Sequence, residues 1–306
     1  YIAVDQEGGE VNRLKHITSY LPSEAKIAKT LTPEESYNLY KSQAMQMKAL
    51  GFSMNLAPVA EVSAEWNQDM LQTRSFGNLS QTQAYSIVAI SAYQSCGVGS
   101  AIKHFPGNTN IDPHTGLPEI DLSKDALDIF ALAPFSLILQ SKPAAVLMSH
   151  ARTSIFDSKS PACLSSFWVG DTLLQSMGFQ GLVLSDDIFM AALEDNGFPP
   201  QKAALQALEA GVDVIMLSEK KFGKVAKFLA DYADSNPSFA TILKRAQKKV
   251  LFFKIQTGQL LLKKGEDGSY SVVEQSLQDR LGNPSERLEK FNIAKKEGRD
   301  FYNKTF

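Results

Sequence analysis

The chain has 306 residues, 44% hydrophobic and 21% charged, with a net charge of −2. That suits one large or two smaller globular α/β domains and gives no basic field to argue for nucleic acid. Two cysteines, Cys96 and Cys163, are too few for a disulfide framework, and no apolar run approaches the roughly 20 residues of a membrane span.

In chain order, six short apolar runs read as strands: YIAVD (1–5), FSMNLAPV (52–59), GSAIKHF (99–105), AAVLMSH (144–150), GLVLSDD (181–187) and DVIMLS (213–218). Runs of four to eight residues, rich in Val, Ile, Leu and Phe, suit strands buried on both faces of a parallel sheet. Helices fall between them. Thr32-Pro33-Glu34-Glu35 reads as an N-cap, a proline at the first helical position and a capping-box glutamate, opening a helix to Leu50 that Gly51 ends. Ser80 with Gln83 opens another, closed by Gly97. Further helices are expected near 123–141, 165–177, 199–210, 219–234 and 238–256. The polar, lysine-rich stretch 258–306 is expected to hold one helix, capped by Asn283, as an extension or the start of a second domain.

Strand–helix alternation means βαβ units, in a doubly wound open sheet or a (β/α)₈ barrel. No G-x-G-x-x-G follows a strand, which weakens the dinucleotide-binding choice. A barrel needs eight strands and only six are visible, so a barrel would lack two, most simply upstream of Tyr1.

In parallel α/β folds, sites form at the carboxyl ends of the strands. Asp5 ends the first run, Lys103 and His104 the third, His150 the fourth, and Asp186 with Asp187 the fifth. Asp112 and His114 lie on the breaker-rich loop after the third. Each has a plainer reading: a satisfied structural histidine, or an aspartate capping the next helix. The shared rim is what independent structural roles do not explain. Metal-assisted hydrolysis would want pairs such as H-x-H or H-E-x-x-H, and neither occurs. Glycosyl transfer fits better, with a carboxylate nucleophile on a strand end and a separate acid/base. A histidine suits both protonation and deprotonation near neutral pH, and Asp112 is placed to orient His114.

Four stretches carry a resemblance to a known family: VDQEGGEVNRL (4–14), TRSFG (73–77), KHFPG…DPH…LP (103–118) and GFQGLVLSDDIFM (178–190). Together they resemble glycoside hydrolase family 3, in particular its β-N-acetylhexosaminidases (the NagZ type). The resemblance implies an N-terminally truncated (β/α)₈ barrel over residues 1–257, with 258–306 as a C-terminal extension. It implies a retaining exo-β-N-acetylglucosaminidase with Asp186 as nucleophile, His114 as acid/base and Asp112 as its partner. Asp5, Arg13, Arg74, Lys103 and His104 match sugar-binding positions, although each arginine alone also reads as a surface ion-pair residue. The implied substrate is a small carbohydrate, a muropeptide or chito-oligosaccharide ending in N-acetylglucosamine. No cofactor or metal is implied, and the protein is expected to be a monomer. A phosphorylase of the same family and a sugar-binding barrel without turnover are the alternatives. The compartment stays open, with the cytoplasm favoured over a periplasmic or lipid-anchored location. The chain departs from the family pattern in a loop two residues shorter between Gly107 and Asp112, in Pro113 where serine is common, and in Glu10 where arginine is common.

Overall fold

The computed structural model describes residues 1–218, 222–275 and 277–306. All six apolar runs contain strands: β1 (Ala3–Val4), β2 (Met54–Asn55), β3 (Gly99–Phe105), β4 (Ala145–Met148), β5 (Leu182–Asp187) and β6 (Val214–Met216). They form one sheet in the order β1-β2-β3-β4-β5-β6, every pair parallel. Sequential order with helical crossovers is the winding of a (β/α) barrel, because same-handed connections put every helix on one face. The sheet curls but leaves β1 and β6 as edges, so the described residues form an open arc.

Side chains alternate across this sheet as strand geometry requires. Met54, Ala101, Ala145, Leu147, Leu182 and Leu184 form one cluster on the inner face, joined by Ala3, Val214 and Met216. Ile102, Val146 and Val183 point the other way, into a core shared with the helices. The inner-face period continues upward. Asp5 is two residues beyond Ala3, Lys103 two beyond Ala101, and Asp186 two beyond Leu184. The polar residues of the carboxyl rim are thus the next layer of the same face that builds the core.

The helices follow their local signals. The α-helices of six residues or more are α1 (Glu24–Thr30), α2 (Pro33–Leu50), α3 (Leu79–Ser95), α4 (Ala133–Ile138), α5 (Pro200–Ala210), α6 (Phe222–Ser235), α7 (Pro237–Gln256) and α8 (Pro284–Thr305). The capping box of α2 forms as expected, with Thr32 and Glu35 each bonding the other's backbone N–H. That of α3 is built two residues earlier than expected, by Asn78 and Gln81 rather than Ser80 and Gln83. Asn caps as well as Ser does, and it reaches the start of the apolar period first. The stretches Leu127–Leu132 and Phe167–Ser176 are π-helical rather than regular α-helix. The first residues of the helix expected over 219–234 lie outside the described residues. No described helix is long and apolar enough to cross a membrane.

After α7 the chain forms a hairpin, Leu260–Lys264 with Tyr270–Glu274, which was not expected, and then α8, capped by Asn283. Helix α8 packs along α2. Ser42 Oγ donates to Ala294 O at 2.7 Å, and Lys295 Nζ reaches Ile17 O at 2.5 Å. Gly298 makes this approach feasible, since a Cβ there would lie 2.6 Å from Ser42 Oγ and 3.1 Å from Ser19 Cβ. Gly298→Val is therefore expected to lower unfolding free energy by about 1–3 kcal/mol in urea titrations. An unchanged midpoint would show that α8 does not pack there.

Candidate active site

A cleft of about 560 Å³ opens at the carboxyl rim. Asp5, Arg13, Arg74, Lys103, His104, His114 and Asp186 line it. Of the catalytic and sugar-binding residues the resemblance implies, Asp112 alone is not on its wall, and it reaches the cleft through His114. A larger cavity, about 1120 Å³, lies at the opposite strand ends, around Gly99, Gly181 and Lys249. Its wall carries no histidine and no carboxylate, so the smaller cleft is where the chemistry can occur.

The floor of the cleft is a ladder of alternating charge. Lys103 Nζ lies 2.8 Å from Asp5 Oδ1 and 2.5 Å from Glu7 Oε1. Arg74 grips Glu7 with two bonds, Nε and Nη2, both at 2.9 Å. Glu7 is delivered by a tight hairpin, Gln6–Gly8 with Val11–Asn12, which also carries Arg13 just beyond it. Its turn needs glycine. Gly9 has φ +57°, and a Cβ there would come within 2.6 Å of Ser23 Cβ. Burial opposes the charge on Glu7, but Lys103 and Arg74 outweigh it and hold the carboxyl down to about 2. Burial likewise works against the ammonium of Lys103, and Glu7 and Asp5 more than restore it.

His104 is held by a second buried carboxylate. Its Nδ1–H donates to Glu61 Oε1 at 2.7 Å and its backbone N–H to the same oxygen at 3.1 Å. Glu61 also accepts the Asn108 backbone N–H at 2.6 Å and the Asn108 side-chain amide at 3.0 Å. Burial disfavours the charge of Glu61, but these bonds, led by His104, hold its carboxyl below the usual range. The register of β3 against β4 slips between Lys103 and Phe105. Such an irregularity lets the consecutive side chains of Lys103 and His104 face one cleft, where strict alternation would send them to opposite faces.

Asp186 ends β5. Its Oδ1 accepts the Asp187 backbone N–H at 2.8 Å. Burial pushes its carboxyl up, but His104, the bond from Asp187 N–H and Lys103 pull it below the usual range, so it is ionised at neutral pH. The His–Asp pair sits further out: His114 Nδ1–H donates to Asp112 Oδ1 at 2.7 Å, and the His114 backbone N–H reaches the same oxygen at 2.9 Å. These side chains are 71% and 49% exposed, against 2% for Lys103 as a whole residue. One bond ties this loop to the region after β5, from Ala192 N–H to Pro113 O at 3.2 Å. Asp112 is held low chiefly by the His114 backbone N–H.

Three residues that hold this site together, Glu7, Glu61 and Asn108, are not among those the sequence marks, while His150, expected at the rim, lies off the cleft wall and bonds Asp187 O. Glu7 follows Asp5 by two in VDQEGG, a spacing that could have marked it. Glu61 lies two residues past the 52–59 run, and nothing local marks it as the acceptor for a loop over forty residues on.

Fold and rim together define a barrel-wound α/β domain with its reactive groups at the carboxyl edge. The chain belongs to glycosyl hydrolase family 3: the family's N-terminal domain matches residues 1–251. It is 32% identical to a β-hexosaminidase of Haemophilus influenzae (strain PittEE) over 73% of this chain and 65% of that protein. It is 27% identical to β-hexosaminidase A of Pseudoalteromonas piscicida over 96% of this chain and 52% of that one. The chain thus spans about half to two thirds of the length of these relatives. Among solved structures, a β-N-acetylhexosaminidase from Beutenbergia cavernae superposes with a TM-score of 0.75 at 27% identity, covering 82% of this chain and 77% of that one. A family 3 β-N-acetylglucosaminidase from Paenibacillus sp. gives 0.77 at 26% identity, covering 97% and 56%.

Glu7→Gln would leave a buried lysine and an arginine without their shared counter-charge, at an expected cost of about 3–5 kcal/mol in unfolding experiments. The pH dependence has a defined sign. The folded carboxyl of Glu7 lies below its ordinary 4.5, so its contribution is complete above that pH and is lost as pH falls toward about 2. The loss should approach about 3 kcal/mol and be absent in Glu7→Gln. A stability profile from pH 5 to 2 that is parallel in the two proteins would contradict the pairing.

Proposed function

We propose that the protein is a retaining exo-β-N-acetylglucosaminidase, built on the larger part of a (β/α)₈ barrel. The observation that carries this reading is one cleft walled by an ionised, partly buried Asp186 and by His114 with Asp112 behind it. Asp186 attacks the anomeric carbon while imidazolium His114 protonates the leaving oxygen from Nε2. Asp112 accepts from Nδ1, which leaves Nε2 facing the substrate and stabilises the charged ring. In the second step neutral His114 takes a proton from water, and that water releases the sugar from Asp186. A histidine acid/base replaces the second carboxylate of the common two-carboxylate scheme.

The sugar hydroxyls fall to the floor. Asp5 accepts from adjacent hydroxyls, while Lys103, Arg74 and Arg13 donate. With Nδ1 committed to Glu61, His104 has Nε2 available for the sugar. Because the ladder closes the inner end of the cleft, the arrangement suits removal of one terminal residue. We assign the substrate class as muropeptide fragments or chito-oligosaccharides ending in β-linked N-acetylglucosamine, in line with the names of the relatives.

Asp186→Asn should lower turnover of an aryl N-acetyl-β-glucosaminide by at least about 10³-fold, and a mechanism-based fluorosugar should label Asp186 in the unsubstituted protein. Full activity of the variant would refute the assignment. His114→Ala should keep more activity on a dinitrophenyl glycoside than on a methylumbelliferyl one, because a good leaving group needs little protonation. Equal losses on both would remove His114 as the acid. Added phosphate should leave rate and products unchanged; a sugar 1-phosphate product would mark a phosphorylase instead.

A further inference from the structure

We propose that His150 is a positioning residue for Asp186, and that the thiol of Cys163 fixes the ring tautomer in which it does so. The inference rests on Asp186 acting as the nucleophile.

His150 stands just past β4 and is 1% exposed. Its Nε2 lies 3.0 Å from Asp187 O and its Nδ1 3.2 Å from Cys163 Sγ. A carbonyl oxygen only accepts, so Nε2 must carry a hydrogen. In a neutral ring Nδ1 then presents its lone pair, and the hydrogen between Nδ1 and Sγ has to come from the thiol. Burial agrees with both assignments, pushing the imidazole down toward its neutral form and the thiol up toward its protonated form. Cys163 is itself placed by its backbone N–H, which donates to Ser149 O at 3.1 Å. The order of donation is therefore defined end to end, thiol to imidazole to carbonyl.

The carbonyl at the end of this chain belongs to the residue that follows the nucleophile. Asp187 O also accepts Met190 N–H at 3.1 Å. The Asp187 carboxylate accepts Phe189 N–H at 3.1 Å and Ser218 N–H at 3.0 Å on Oδ1. Its own N–H donates to Asp186 Oδ1. These bonds fix the peptide that fixes Asp186 Oδ1, so that Oδ2 is the oxygen presented for attack. His150 supplies a side-chain bond to this turn from the end of β4. A histidine that merely filled the core would affect stability and leave the geometry of attack alone.

The test has two independent arms. In ¹⁵N-labelled protein, long-range ¹H–¹⁵N spectra distinguish the tautomers, and with four histidines in the chain His150→Gln identifies the signal. The expected result is an Nε2–H ring that does not titrate between pH 8 and 5; an Nδ1–H ring or a titrating one overturns the proposal. In kinetics on an aryl N-acetyl-β-glucosaminide, Cys163→Ala and His150→Leu should lower kcat by about 10- to 100-fold with little change in KM. Cys163→Ser, which restores a donor, and His150→Gln, whose amide can donate to the carbonyl, should each recover most of the loss. Variants that lose thermal stability but keep kcat would show a packing role only and overturn the proposal. If the unsubstituted protein fails to turn over any such glycoside, the nucleophile assignment fails and the positioning role with it. If it turns over and only the His150 and Cys163 variants behave normally, the proposal alone fails.

Discussion

A buried ammonium has to be paired, and the pairing of Lys103 decides what may surround it. At 2% exposure Lys103 has little access to water, and a lone charge there would cost several kcal/mol. Glu7 and Asp5 supply the counter-charge, and Arg74 balances the second oxygen of Glu7. Three segments far apart in sequence, the β1 hairpin, the 72–74 turn and β3, are thereby held to one geometry. The same charge constrains its neighbours. Glu24, buried below, accepts Val59 N–H at 3.0 Å, and its carboxyl is pushed well above the usual range, first by burial and then by the charge of Glu7. The region therefore keeps one carboxylate ionised and its neighbour protonated.

Around Asp186 a related logic works with weaker forces. Its ionised state rests on the nearby His104 and Lys103 and on the bond from Asp187 N–H, which also gives it direction. His104 is in turn oriented by Glu61, which also fastens the start of the following loop through Asn108. A sugar bound between Lys103 and Asp186 would meet groups whose own partners are already in place. Such preorganisation is what makes charge development at the anomeric carbon less costly than in water.

The sheet was legible because period-two burial leaves a strong mark: all six strands lie within the apolar runs. Most helices announced themselves through their caps, and Pro33 with Glu35 set the start of α2 to the residue. The rim positions followed from the same alternation, since Asp5, Lys103 and Asp186 continue the inner face. What stayed hidden depended on partners distant in the chain. Glu61 reads as an ordinary loop carboxylate until Asn108 and His104 arrive from β3 and beyond. The C-terminal hairpin was obscured because neither LLLKK (260–264) nor YSVVE (270–274) shows the alternation of a half-buried strand within an otherwise polar stretch. Ser80 drew the cap assignment away from Asn78 because both are good caps two residues apart.

The two halves of the site are made of different material, and the difference suits the mechanism proposed for them. Asp186, Lys103 and His104 stand on strand ends with buried partners, where displacement would break several bonds at once. His114 and Asp112 stand on a largely exposed loop that joins the rim through the Pro113–Ala192 bond and holds its own pair together locally. A nucleophile has to meet one carbon along one line, so rigidity serves it. The acid/base has to meet the leaving oxygen in the first step and a water in the second, with the aglycone departing in between. A locally rigid His–Asp unit on a lightly tethered loop can keep its internal bond while its position adjusts, and Pro113 between the two residues limits that adjustment to the loop as a whole. The segment before the pair is anchored, with Asn108 bonded to Glu61 and Asn110 to Trp66 O and Glu65 O, so any such adjustment is confined to the loop beyond Asn110.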